Sequence, residues 1–213
     1  MTRSFRARIQ KPLKRLLTLT AAAALAVPLL ASPAHASGWA IHDADGLVTH
    51  SSLQLILSVP RSGATITCTG HDMDGSVNNP TDPSGQGAII IDSHTFTNCT
   101  GPFGLTVSVA VGGTWRLNLV SITSDPDVYV VSVTNVRASI SGPACSVSIT
   151  GGMPGTYNNR THILSLNPSA PNLDGVSLTA EAGSCLGVIS TGDTVTWTAD
   201  YEAFPPYTIH YTP

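Results

Sequence analysis

Histidine, serine and carboxylate side chains are where this chain could do acid–base or metal chemistry. His71-Asp72 and Asp92-Ser93-His94 hold the residue types of a hydrolytic triad. A serine nucleophile needs a base within hydrogen-bond reach, commonly on an exposed G-x-S-x-G turn. That motif is absent. Adjacent strand residues point to opposite faces, so Ser93 and His94 do not meet directly. The six histidines after residue 36 show no spacing that implies a shared site, and they read as surface or turn residues. Glycoside hydrolysis asks for two carboxylates, one held protonated. Almost every one of the eleven aspartates sits beside Gly, Pro or Ser, where making a turn is role enough. The zinc-protease pattern H-E-x-x-H is also absent. No catalytic residue is assigned.

Three D-x-D pairs, Asp43/Asp45, Asp72/Asp74 and Asp125/Asp127, each fall in an expected turn and could offer hard oxygen ligands to calcium. The run His71–Ser76 fails the EF-hand pattern, because Val77 occupies the sixth position from Asp72 and no glutamate closes the loop. Plain turn aspartates are the preferred reading, so no metal and no cofactor are assigned. Trp115 and Trp197 lie in phase with Leu117 and Val195, which places them in a core and not on a sugar platform. Trp39 is left undetermined. Asn98-Cys99-Thr100 and Asn159-Arg160-Thr161 match the glycosylation sequon, which means little behind a bacterial-looking signal.

That signal comes from the first 36 residues. Arg3, Arg6, Arg8, Lys11, Lys14 and Arg15 are followed by an apolar run to Ala31 and by Ala34-His35-Ala36. The order matches a secretory signal peptide, and the run is too short and interrupted for a membrane span. The mature domain is expected over 37–213, with no transmembrane segment and an extracellular or envelope-associated location. It keeps four arginines against thirteen acidic residues, a formal charge of −9. Such a surface repels phosphate backbones and anionic membranes, which excludes nucleic acid as a partner.

All four cysteines, Cys68, Cys99, Cys145 and Cys185, lie in the exported part and read as two disulfides. Four cysteines allow three connectivities, none excluded by sequence; pairing chain neighbours, Cys68–Cys99 and Cys145–Cys185, is favoured. A zinc site would want a C-x-x-C pair or clustered histidines, and has neither.

Period-two alternation runs through most of the chain. Val107, Val109 and Val111 precede Gly112-Gly113, then Trp115, Leu117 and Leu119 alternate in turn, which predicts a tight hairpin. Val195, Trp197, Ala199 and Tyr201 share one face of a late strand. Similar short runs begin at Leu53, Ala64, Ala88, Val128, Cys145, His162 and Val176. Thr, Ser and Val dominate and helix formers are scarce. The expected fold class is all-β, an antiparallel β-sandwich or barrel with two disulfides. The long polar stretch Gly70–Gly87 is expected to be a surface loop.

Phe96-Thr97-Asn98-Cys99-Thr100, Ile140–Cys145, Gly155–Asn159, Ser184-Cys185-Leu186-Gly187 and Gly192-Asp193 carry a resemblance. From about Gly38 to Tyr211 the chain resembles a group of secreted actinobacterial proteins that are four-cysteine, Thr/Ser/Gly-rich and all-β. The resemblance implies fold and localisation, and brings no activity or catalytic residues with it.

The functional expectation is a secreted, non-enzymatic β-domain with a binding or surface-structural role and an unknown extracellular or cell-surface ligand. The alternatives are a protease inhibitor, with Gly70–Gly87 as reactive loop and Met73 as its anchor, and an extracellular hydrolase with an unrecognised site. N-terminal sequencing of protein from culture medium is expected to read Ser37-Gly38-Trp39. Recovery of an intact Met1 form from membranes would overturn the export reading.

Overall fold

The computed structural model describes residues 37–44, 46–78 and 80–213; the expected export segment, Asp45 and Asn79 lie outside the described residues. Alternating Thr, Val and Ser favour extended ladders over helices. The strands, in chain order, are β1 (Gly38–His42), β2 (Leu47–Ser52), β3 (Leu55–Val59), β4 (Ala64–Val77), β5 (Ile89–Thr100), β6 (Ser108–Val111) and β7 (Trp115–Ile122). They continue as β8 (Val128–Gly142), β9 (Cys145–Asn158), β10 (Ile163–Leu166), β11 (Leu178–Cys185), β12 (Ile189–Ser190), β13 (Thr194–Phe204) and β14 (Thr208–Thr212). Among the described residues no helix is long and apolar enough to cross a membrane.

Every pairing is antiparallel, and the ladder closes on itself. β4 pairs β5, β5 pairs β7, β7 pairs β8 and β8 pairs β9. From β9 the path runs through β10 and β13 to β2, and so back to β4. That is the connectivity of a barrel. At its other end β3 continues β2, β6 precedes β7, and β11 stands between β9 and β13. β1 and β14 form a separate two-stranded ribbon.

The inward faces make one continuous apolar cluster. Trp115 and Trp197 belong to it, as their phase requires, at 0% and 3% exposure. Trp39 is also buried, with its ring centroid 6.0 Å from Tyr129 and 4.8 Å from Tyr211.

Two expectations from the pattern are corrected. Gly112-Gly113 does not turn a hairpin. Val109 faces Ile140 and Leu117 faces Val133, so β6 and β7 follow one another along the same edge of β8. The Gly112 N–H donates to the Arg137 carbonyl at 3.0 Å, and Gly113 takes φ 72°, so the glycines break one long strand path without reversing it. Asn135 on β8, at φ 58°, answers the break and donates from Nδ2 to the Thr114 carbonyl at 2.6 Å.

The stretch Gly70–Gly87 is not all loop either, because β4 continues to Val77. His71 and Met73 are buried while Asp74 is exposed. This polar segment alternates inward and outward like any strand. Met73 is fully enclosed, so it is no anchor for a protease cleft.

Both disulfides join residues directly opposite on neighbouring strands: Cys68 on β4 with Cys99 on β5, and Cys145 on β9 with Cys185 on β11. The favoured connectivity is the one present. The bridges span sequence separations of 31 and 40 residues. On the chain-entropy account each stabilises by about 3–4 kcal/mol. Cys145→Ala with Cys185→Ala is therefore expected to lower the unfolding free energy by about that amount in urea titrations. An unchanged midpoint would show that the ladder alone holds this end.

Candidate functional site

Three adjacent strands carry two inward rows at one level of the barrel. Ser52, His71 and Phe96 form one row across β2, β4 and β5; His50, Met73 and His94 form the next. They face inward through a matched change of phase. Buried positions on β4 run Ile66, Cys68, then His71, Met73, and those on β2–β3 run His50, Ser52, then Leu55, Leu57. The three-residue step falls at the same level on both, since Leu55 opposes Cys68 and Ser52 opposes His71. On β5 the step from Phe96 to Cys99 crosses Asn98, which takes φ 46°.

The surrounding strands complete an aromatic box. The His71 ring stacks on Phe96 at 4.0 Å and lies 5.4 Å from Trp197 and 5.6 Å from Tyr201. His94 lies 4.2 Å from Trp115, and Trp115 lies 5.5 Å from Trp197.

A chain of hydrogen bonds threads this box, with its direction assigned so that the buried Tyr201 hydroxyl proton also has an acceptor. Trp197 Nε1–H is a donor only and bonds the Tyr201 hydroxyl oxygen at 2.9 Å. The hydroxyl proton is then free to reach His71 Nδ1 at 2.8 Å. That leaves His71 with its proton on Nε2, facing His94 Nδ1 at 3.3 Å. His94 in turn carries its proton on Nε2, assigned from the network. There the chain stops: His94 Nε2 and the neighbouring Trp115 Nε1 are both buried without an acceptor among the described residues.

The wall of the barrel is incomplete at this place. Ser93–Thr97 on β5 pair with β4 on one edge, and among the described residues no strand pairs with their other edge. The gap is bounded by Ile91 opposite Trp115 and by the bridge from Thr100 to Thr106. His94 and Phe96 stand inside it, each half-buried.

A second buried imidazole lies beside the box. His50 Nε2 is 3.0 Å from the Tyr207 hydroxyl, and its Nδ1 has no partner. Tyr157 stacks on Tyr207 at 4.4 Å and donates its hydroxyl to the Tyr207 carbonyl at 2.7 Å.

Three histidines expected at the surface are thus inside or half inside. Burial holds the His50 imidazolium down to a pKa of about 4 and His71 to about 3, with His94 near 4. Near neutral pH all three are uncharged. His71 has both nitrogens committed to hydrogen bonds, so accepting a proton would cost it one of them.

The remaining candidates are scattered. Ser93 is exposed on the opposite face from His94, as strand geometry requires. Asp72 and Asp74 ride on strand β4 and not on a turn, and Asp74 accepts from Thr49 at 2.6 Å. Asp125 does sit in a turn, where its side chain accepts the Asp127 N–H at 3.0 Å, while Asp127 pairs with Arg160. Asp43 accepts from the Thr208 hydroxyl at 3.0 Å. Since that hydroxyl has one proton to give, the nearby His210 Nε2, at 3.2 Å, is its donor and not its base.

Compared with known proteins, the chain matches no family model, no curated protein and no solved structure.

The buried imidazoles give stability a definite dependence on pH. An unfolded histidine binds its proton near pH 6.5, whereas folded His50 and His71 resist until about pH 4 and about pH 3. Between those values the unfolded chain holds more protons, so stability falls as the pH drops below 6.5 and is unaffected above it. Each histidine contributes a slope of about 1.4 kcal/mol per pH unit in that window. Urea midpoints are expected to be level from pH 8 to 7 and to fall steeply from 6.5 to 4. A flat profile there would mean the imidazoles are solvated.

Proposed function

We propose that the protein is a secreted, non-enzymatic β-barrel domain that binds an extracellular or cell-surface ligand. Two disulfides are consistent with an oxidising location. The order of charge, apolar run and small residues in 1–36 supports export, and the turn and cysteine motifs support kinship with the actinobacterial four-cysteine group.

The observation that carries the binding reading is the pair of donors without acceptors, His94 Nε2 and Trp115 Nε1, behind the unpaired stretch of β5. A buried N–H left unsatisfied costs about 1–3 kcal/mol, and folded proteins seldom leave one unexplained. An oxygen acceptor reaching these donors past the unpaired edge of β5 would recover that cost. Phe96 and His94 would meet its flat or apolar surface. Asp74 and Asp92 act electrostatically on His94, and the exported chain carries −9 overall, so an uncharged acceptor is favoured over a carboxylate or phosphate.

Titration with a panel of uncharged oligosaccharides and peptides, followed by tryptophan emission, tests this. At least one should give a saturable change that is lost in both His94→Phe and Trp115→Phe, and mass spectrometry should recover it intact. No response across the panel, or one that survives in both variants, would reject the reading. Steady turnover of a bound compound would move the protein among the hydrolases.

A further inference from the structure

A second interruption of the barrel wall lies on the opposite arc of the ring. β10 pairs β9 and β13 at one level, and β11 pairs the same two strands at another. Between those levels Gly152–Pro154 on β9 and Thr196–Thr198 on β13 have no strand between them. The loop over 167–177 covers the opening. Its start is tied where Asn167 N–H donates to the Pro154 carbonyl at 3.3 Å, and its end where Gly152 N–H donates to the Ser177 carbonyl at 3.0 Å. In its middle Asp174 accepts the Ser132 hydroxyl at 2.6 Å. Val176 sits directly on Gly152, where an added Cβ would lie 3.0 Å from the valine Cβ. Only glycine leaves room for that seat.

Against this strap lies a pocket of about 120 Å³, half open to solvent past the exposed Pro168, Asn172, Ser177 and Thr194. Met153, Val176, Leu178, Val195 and Trp197 form most of its apolar wall, and no charged residue lines it. Some of the polar groups at its edge are committed to the protein, while the exposed Ser177 and Thr194 hydroxyls stand at its rim. Asn172 donates from Nδ2 to the Val176 carbonyl and accepts the Val176 N–H at Oδ1, both at 2.8 Å. Trp197 Nε1 is committed to Tyr201, and the Thr196 hydroxyl reaches the Ser58 carbonyl at 3.4 Å. A water needs about two to four polar partners to be well held, and the apolar inner wall of the pocket supplies few.

We propose that this strapped cavity is a binding site for one small, uncharged apolar molecule of about the size of a single six-membered ring. Removing such a ring from water supplies the driving force, and contact with Met153, Leu178 and Trp197 replaces empty space with dispersion attraction. Charged analogues are disfavoured, because no charged group lines the pocket to offset their lost hydration. Residues 171–175 of the strap are exposed, and Gly175 at φ 67° closes the Asn172–Val176 turn that holds Val176 against the pocket.

The test uses the oxidised protein, with benzene as probe and benzoate as charged control, read by calorimetry and by NMR of labelled methionine methyls. The expected result is saturable 1:1 binding of benzene, at least about tenfold weaker binding of benzoate, and a ring-current shift of the Met153 methyl with Met73 unmoved. Met73 lies in the histidine box, so a shift there instead would place the probe at the other site and overturn the proposal. Val176→Phe fills the cavity from the loop and should abolish binding while keeping the native melting transition. If that variant does not fold, Asn172→Ala, which removes both hydrogen bonds that hold Val176 against the pocket, decides. A loss of about tenfold or more supports the site, and unchanged affinity overturns it. Non-saturable uptake of benzene by the wild type overturns it as well.

Discussion

Closure of the ladder is the constraint on which the rest of this structure depends. A sheet that returns to its own first strand has one enclosed side, and every side chain aimed there must be matched by neighbours and not by water. The cost of an inward polar group is therefore high, and the interior shows how it is met. Tyr201, His71 and His94 are linked head to tail, and Tyr157 and His50 both lean on Tyr207. The same closure explains why the two interruptions of the wall are the informative places. They are where the enclosed side comes nearest to solvent without the ladder between.

Much of the fold was legible because period-two alternation is a local property. The core phase of Trp115, Trp197 and Tyr201 and the all-β class follow from residues a few positions apart. What was not legible depended on partners far along the chain. Gly112-Gly113 is a good hairpin signal by itself, but β8 offers one long edge that takes both flanking segments, and pairing along it outweighs a tight turn. The stretch from Gly70 reads as loop because it is polar, yet β2 and β5 flank it and satisfy its backbone.

The histidine box was hidden by a subtler effect. Counting by twos from Cys68 puts Gly70 and Asp72 inside and His71 outside. The actual interior steps by three at that level, on neighbouring strands together, so His71 and Met73 turn in. A shared shift of phase leaves no mark in any one strand's pattern. Proline-free, mildly polar sequence at Thr69-Gly70 and Asn98 was the only hint available. The two unpartnered donors could not have been foreseen at all, since they depend on which acceptors the fold fails to deliver.

The disulfides have a consequence that reaches beyond stability. Each joins residues that face one another in the final pairing, so each can form only when its two strands have met in the correct register. A slip of one residue would turn every inward side chain outward and carry the two sulfurs to opposite faces. Oxidation of Cys68 with Cys99 and of Cys145 with Cys185 thus acts as a proofreading step, sealing the correct alignment on each side and leaving misaligned chains chemically distinguishable as free thiols.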